Sequence, residues 1–414
     1  MRVLWFPGNE VIYRNENNYH GGGWTKTLAA ELLSCHPDIE LGMVIPWSKV
    51  MYKKKGNVHF YGLPQIRYSI WRYTHRLSKR LSLMKNIVED FKPDIIHVFG
   101  SEHIGGLVSE VTTKPVVLHI QGVLCFCKEA WLPYNLSWGK YISMCPKQWL
   151  GKMSLDKACK NELLIFKTCH HYMGRTDFDQ RIIDILSPGS SYYFCNEMLR
   201  DNIYNSKSSW NHHECNHKII ISIISGAVYK GGDVILRTAK ILKEVIGMDF
   251  EWKVCGVDNL KTCENLTGIK AQDVNVTPLG GVDENQLIIN VLAADVFVHP
   301  SYIENSPNTV CEAQLLGIPV IACHVGGIGS LISNGKDGIL IPANDIFMMA
   351  SHICQILANK NLALSIGAAG RLRALARHNP ETIVNDVIGI YQNIIKQENT
   401  KQHNTLKTHC KTLY

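Results

Sequence analysis

No uninterrupted apolar run in this 414-residue chain approaches the roughly 18 residues needed to span a bilayer; the best candidate, IIISIIS from Ile219, suits a buried strand. Any membrane association is therefore expected to be peripheral. The opening MRVLWFPGNE has too short an apolar stretch and too little positive charge for a signal peptide, and the 14 cysteines show no regular spacing. Both features suggest a reducing, cytoplasmic compartment. No G-x-G-x-x-G follows the first apolar strand, whose loop reads PGNEVIYRN, so a nicotinamide-dependent dehydrogenase is disfavoured. Repeats at solenoid periods are absent, and no recognised nucleic-acid motif accompanies the positive charge.

The length exceeds the roughly 250–300 residues at which single cores stop growing, so two domains are expected. The net charge of +7 lies entirely in the first half: residues 1–206 carry 25 Lys+Arg against 18 Asp+Glu, and the remainder balances at 18 each. Part of the excess is concentrated in Lys53–Lys55 and in RYSIWRYTHRLSKRL from Arg67 to Leu81. Such a segment could rest on an anionic membrane or hold a phosphorylated substrate. It could equally be a solvated basic helix face with Trp71, Leu77, Leu81 and Met84 turned to the core.

Short apolar strands alternate with helices in both halves: MRVLWF, IELGMVI, DIIHVF, KPVVLHI and HHYMGR, then KIIISII, FEWKVCG, VNVTPLG, ADVFVHP and IPVIAC. Continuous apolar strands of this kind form parallel sheets covered on both faces. The fold class is α/β, with two Rossmann-like doubly wound domains facing across a cleft. The first spans 1–205, the second 217–378, and the polar stretch Asp201–Lys218 reads as the linker. Residues 397–414 read as a mobile tail.

In doubly wound sheets, ligands bind beyond the carboxyl ends of the strands. The stretch SYIENSPNTVCEAQLLGIPV, Ser301 to Val320, stands there, with Glu304 in a loop and Glu312 inside the following helix. Ser306 reads as the N-cap and Pro307 as the first helical residue. The free amides of Asn308 and Thr309 would face a phosphate, assisted by the helix dipole. Glu304 could accept hydrogen bonds from a sugar's hydroxyls, and Glu312 a bidentate pair from a ribose diol. The spacing describes a nucleotide-sugar pocket.

The run DVFVHPSYIENSPNTVCEAQLLGIPVIACHVGGIGSLI, from Asp295 to Ile332, resembles the signature of the family 4 retaining glycosyltransferases, whose E-x7-E motif falls on Glu304 and Glu312. SGAVYKGGD resembles that family's phosphate-binding segment, with Gly226 at its glycine and Lys230 at its lysine; GGGWTKTLAAELL and VVLHIQG match its glycine loop, Gly21, Gly22 and Gly23, and its pocket histidine, His119. YMGRTDFDQRII and YYFCNEMLR resemble elements of a bacterial polysaccharide-assembly branch. The resemblance reaches to about Lys396. Two departures stand out: Ala227 replaces a frequent arginine, and GGIGS, with Gly329 and Ser330, replaces G-G-x-P-E.

The resemblance implies a GT-B enzyme whose second domain holds the donor nucleotide and whose first domain holds the acceptor, with a final helix (379–396) rejoining the first domain. It implies retention of anomeric configuration without bound metal or cofactor. Glu304, His119 and Lys230 take the catalytic roles, and Glu312, Gly226, Asn305, Ser306, Asn308, Thr309, Gly326 and Gly327 the donor-binding roles. Gly21–Gly23 let acceptor or diphosphate approach the backbone. The implied partners are a nucleotide-sugar donor, UDP- or GDP-linked, and a glycan or polyprenyl-linked saccharide acceptor at the inner membrane face, with no nucleic acid. A sugar-nucleotide epimerase and a non-catalytic nucleotide-sugar-binding partner remain the competing functions. His97 could be a core histidine, and HHECNH (His212–His217) has ligand residue types but matches no standard zinc spacing.

Overall fold

The computed structural model describes residues 1–9, 13, 23–64, 73–133 and 136–411. Among these, eight strands form the first sheet: β1 (Arg2–Phe6), β2 (Glu40–Trp47), β3 (Met51–Lys55), β4 (Val58–Pro64), β5 (Ile95–Phe99), β6 (Val116–His119), β7 (His171–Gly174) and β8 (Ser191–Phe194). Their order is β3-β4-β2-β1-β5-β6-β7-β8, parallel except for the β3–β4 hairpin. Six strands form the second sheet: β9 (Lys218–Ile223), β10 (Phe250–Cys255), β11 (Val276–Gly280), β12 (Val296–His299), β13 (Val320–Cys323) and β14 (Ile339–Ile341). Their order, β11-β10-β9-β12-β13-β14, reverses at β9, so β9 and β12 leave a crevice between their outgoing loops.

Cores lie where the apolar runs require. Val3, Trp5, Met43 and Val117 pack on one face of the first sheet, Leu4, Val98, Leu118 and Ile165 on the other, and Ile221, Trp252, Phe297 and Ile321 anchor the second domain. The Lys53–Lys55 run occupies β3, an exposed edge strand, where charge discourages pairing with another chain. Of the basic stretch that follows, residues 67–72, including Trp71, lie outside the described residues. The helix Tyr73–Phe91 turns Met84 fully inward, and Leu77 and Leu81 pack beside it.

The chain crosses between domains at Met198 and Leu199, whose side chains join the first and second cores respectively. The segment read as a linker is tied to the second domain by Trp210, whose backbone N–H donates to Leu316 O (2.7 Å) and whose indole donates to Ala294 O (2.6 Å). The last helix, Pro380–Lys411, returns to the first domain and buries Ile383, Val387, Tyr391 and Ile394 against it. Its Tyr391 hydroxyl accepts from Trp5 Nε1 (3.0 Å), so its proton goes to His97 Nδ1 (2.5 Å). His97 is thus a core histidine, bonded to a side chain rather than to backbone. Helical bonding continues through Lys411, past the expected end at Lys396, with Lys396 O accepting from Thr400 and Glu398 pairing with Lys401. No helix among the described residues is long and apolar enough to cross a membrane.

Candidate functional site

Strand β12 delivers His299 and the loop 300–307 to the crevice. Glu304 is buried there, its Oε1 accepting from Lys230 Nζ at 2.6 Å and from His299 Nε2 at 3.1 Å. Burial alone would raise the Glu304 carboxyl, but Lys230 and then His299 override it and pull it down to about 2. The Lys-Gly-Gly turn makes this pairing possible: Gly231 sits at φ +78°, with its α-carbon against the Pro300 carbonyl where a Cβ would collide. Tyr302 N–H to Tyr229 O (2.8 Å) then ties the two loops together.

The helix after this loop runs from Asn308 to Leu316 and begins one residue later than the sequence suggests. Pro307 is its N-cap, with ψ 119°, and Ser306 is not. The reason lies across the cleft, where Arg175 Nη2 donates to the Ser306 carbonyl (3.3 Å) and holds the chain extended. The amides of Asn308 and Thr309 have no carbonyl within the helix to bond. With Gly23, Trp24, Arg200, Ser225, Lys230 and Glu312, these residues line a cavity of about 280 Å³.

Glu312 faces that cavity from inside the helix, and both its oxygens are engaged. Arg200 Nε donates to Oε1 (2.8 Å) and Nη2 to Oε2 (2.6 Å). Burial works against the Arg200 charge, but Glu312 holds its pKa above the ordinary value. Among the donor residues expected from sequence, the cavity therefore gathers Glu312, Asn308 and Thr309 beside Lys230.

Asn305 and Ser306 turn away from the cavity to the first domain. Asn305 Oδ1 accepts from Thr176 Oγ1 (2.7 Å), and its Nδ2 donates to Asp179 Oδ2 (3.2 Å) and Gln121 O (3.3 Å). Gly326 and Gly327 pass so close to the carbonyls of Glu304 and Asn305 that a Cβ on either would overlap them, and the Gly327 amide donates to Glu304 O (3.0 Å). They shape the Glu304 loop, and the Gly327 N–H is already used. Gly226 is exposed with open space around it. Gly21 and Gly22 lie outside the described residues, and Gly23 opens the helix Gly23–Cys35 against the stem of Arg200.

His119 ends β6, fully buried beneath Trp24 (5.8 Å between rings) and beside His97 (5.4 Å). Burial, then the neighbouring His97 and Arg175, keep its pKa well below the usual histidine value, so it is neutral. Neither of its ring nitrogens has a partner among the described residues. Phe99, on its other side, lines a second cavity of about 250 Å³ in the first domain, together with Arg80, Glu102 and His103. Burial pushes the Glu102 carboxyl up to about 7.

Asp177-Phe178-Asp179 is the one Asp-x-Asp triplet in the sequence. Asp179 is the N3 partner of a capping box with Thr176 and also takes the Tyr192 hydroxyl. The linker histidines disperse: His213 bonds Leu292 O and His217 bonds Asp249. Ser330, the departure from G-G-x-P-E, accepts from the Asp177 amide of the opposite domain (3.1 Å). Sequence reasoning missed Arg200, Arg175, His299, Trp24 and Glu102 as site residues. Only His299 carried a local signal, as the polar end of an apolar strand entering the Glu304 loop.

Two doubly wound domains with paired acids and bases at the crevice of the second define the GT-B architecture. Residues 207–373 match the family model described as Glycosyl transferases group 1, so the chain carries a glycosyltransferase group 1 domain. The chain is 24% identical over 203 residues to the capsular polysaccharide biosynthesis glycosyltransferase CapM of Staphylococcus aureus, covering 48% of this chain and 52% of the relative. It is 30% identical over 165 residues to the D-inositol 3-phosphate glycosyltransferase of Mycolicibacterium vanbaalenii, covering 37% of each. The chain thus spans about half or less of the length of these curated relatives. The fold is shared with sucrose-phosphate synthase from Thermosynechococcus elongatus (TM-score 0.73, 16% identity, 96% of this chain and 100% of that one). It is shared too with Anabaena HepE in complex with UDP and glucose (TM-score 0.61, 13% identity, 94% and 98%).

Proposed function

We propose that the protein is a family 4-type retaining glycosyltransferase, metal-independent, that moves a sugar from a UDP- or GDP-linked donor to a glycan or polyprenyl-linked saccharide in surface polysaccharide synthesis. The observation that carries this reading is the cavity in which Lys230, Glu312 and the unbonded amides of Asn308 and Thr309 converge, with Glu304 behind Lys230. Lys230 and the helix amides stabilise the departing diphosphate as the anomeric carbon gains positive character. Glu304, ionised at any physiological pH, holds Lys230 and accepts from the sugar's hydroxyls. Glu312 takes the ribose diol. His119, neutral and unpartnered, lies buried beneath Trp24, which lines the cavity, and can donate or accept there without carrying charge. In this reading the first domain, up to the crossing at Met198 and Leu199 and with the returning helix, is the acceptor domain, the second is the donor domain, and the basic first half sits on the inner face of an anionic membrane.

Support comes from the group 1 match and from the polysaccharide, inositol-phosphate and mannosyl transfer named for its relatives. The test is turnover: the protein is offered UDP-, GDP-, ADP- and CMP-sugars with lipid-linked saccharide acceptors, and nucleoside diphosphate release is followed. Acceptor-dependent release with one donor, and a product of unchanged anomeric configuration by NMR, is expected. Conversion of the donor sugar without an acceptor would instead identify an epimerase.

A further inference from the structure

The donor cavity holds two cations, and each is occupied by one glutamate of the Glu304–Glu312 pair. Lys230 is on Glu304 and Arg200 is on Glu312, both at hydrogen-bond distance. Glu284, 4.0 Å from Arg200 Nε, is a third carboxylate against these two cations, and the cavity is built around a helix N-terminus that favours anions. A nucleoside diphosphate brings hydroxyls for carboxylates and negative oxygens for cations. The ligand can therefore exchange all four partners and leave each charged group hydrogen-bonded, the carboxylates to hydroxyls and the cations to phosphate oxygens, while the added negative charge lies at the helix N-terminus that favours it.

We infer that Arg200 is a diphosphate-binding residue, parked on Glu312 until the ribose diol takes that carboxylate, and then released to the phosphates opposite Lys230. Three features beyond the pairing support this. Arg200 lines the same cavity as Lys230, Asn308 and Thr309. Its two bonds to Glu312 use Nε and Nη2, and its side chain is about 25% exposed. Its stem is wedged between Gly23 of the first domain and the helix of Glu312, one residue past the point where the chain changes domains. An arginine fork suits this exchange, because the geometry that grips a carboxylate in two places also grips a phosphate. Glu284 stands 4.0 Å from Nε, close enough to keep the released guanidinium oriented. The position also places a charge needed for donor binding at the hinge, so occupancy of the cavity bears directly on the segment joining the domains.

The inference rests on the nucleotide-sugar reading, and the experiment separates the two. Dissociation constants are measured by titration calorimetry for UDP, GDP and ADP and for uridine, guanosine and adenosine, on wild type, Arg200→Ala, Arg200→Lys and Glu312→Gln. Thermal melts report whether each variant is folded. For the base that wild type prefers, Arg200→Ala is expected to weaken the diphosphate at least tenfold while leaving the nucleoside unchanged or tighter. Arg200→Lys should retain part of the diphosphate affinity, and its fold keeps the comparison available if the alanine variant does not fold. Glu312→Gln should weaken nucleoside and diphosphate alike, preserving their ratio. Equal losses for nucleoside and diphosphate in both Arg200 variants, or no loss, would overturn the assignment and leave Arg200 a structural hinge residue with the nucleotide reading intact. Failure of wild type to bind any of the three diphosphates would overturn the nucleotide reading, and the inference with it.

Discussion

Glu304 on the second domain and Glu102 on the first both reach into the cleft, and Tyr229 and Cys127 lie near enough to feel both charges. Yet the Glu304 carboxyl is held at about 2 and the Glu102 carboxyl is raised to about 7. Burial acts in the same direction on each. The difference is the cation: Lys230 and His299 bond Glu304 directly, whereas Glu102 meets Arg175 only at a distance and has the like charge of Glu162 nearby. On the second domain Lys230 is paired with Glu304 and Arg200 with Glu312, whereas on the first Glu102 changes charge near physiological pH and His119 stays neutral. Environments that push two acids apart in this way also divide their chemical roles.

The largest effect is expected at Lys230. Lys230→Ala leaves Glu304 buried without its main counter-ion, a loss of about 3–5 kcal/mol in such pairs. The expected result is a matching drop in denaturation free energy at pH 7, largely recovered as the pH falls and Glu304 takes a proton. The wild-type pair behaves oppositely: its depressed pKa gives stability that is fully present above about 4.5 and is lost as the pH falls toward about 2. Under the proposed function, the same variant should lose on the order of 10²–10³ in kcat.

The first domain should respond to base rather than acid. With its folded pKa raised, Glu102 binds a proton in the native state that the unfolded chain has already released, so stability falls as pH rises from about 4.5 through about 7. Glu102→Gln should differ little from wild type at pH 5 and be more stable by about 3 kcal/mol at pH 8, read from urea midpoints. A smaller effect belongs to the clasp between domains. Thr176→Val removes the bond to Asn305 and a helix cap together, and should cost about 1–2 kcal/mol in the same assay. Lys54→Gln, on the exposed edge strand, should stay within about 0.5 kcal/mol.

The second-domain side of the cleft was also the more legible in sequence. Lys230, Glu304 and Glu312 sit in two short segments whose strand, loop and helix are set by local pattern, so spacing alone indicated a shared crevice. Arg200 reaches Glu312 across 112 positions and Thr176 reaches Asn305 across 129, and no local pattern encodes such meetings. The strands that escaped notice share a physical cause. β3 is charged because it is an edge, β4 contains Gly62 and ends in Pro64, β8 is half-exposed, and β14 has three residues, so none presents a continuous apolar run. The helix start moved by one residue because Arg175, on the other domain, takes the Ser306 carbonyl. The final helix extends past its apolar stripe on polar residues linked at i,i+3 and i,i+4 spacing, which the search for amphipathic periodicity does not register.

The decisive experiment is calorimetric titration of the protein with UDP-, GDP-, ADP- and CMP-sugars, repeated on Glu312→Ala. One nucleotide-sugar is expected to bind with 1:1 stoichiometry, and the variant to weaken it by about 1.5–3 kcal/mol, the range for a hydrogen bond to a charged group. Binding of a nucleotide-sugar with undiminished affinity in Glu312→Ala would contradict it, because the ligand would then lie outside the cavity that the two glutamates define.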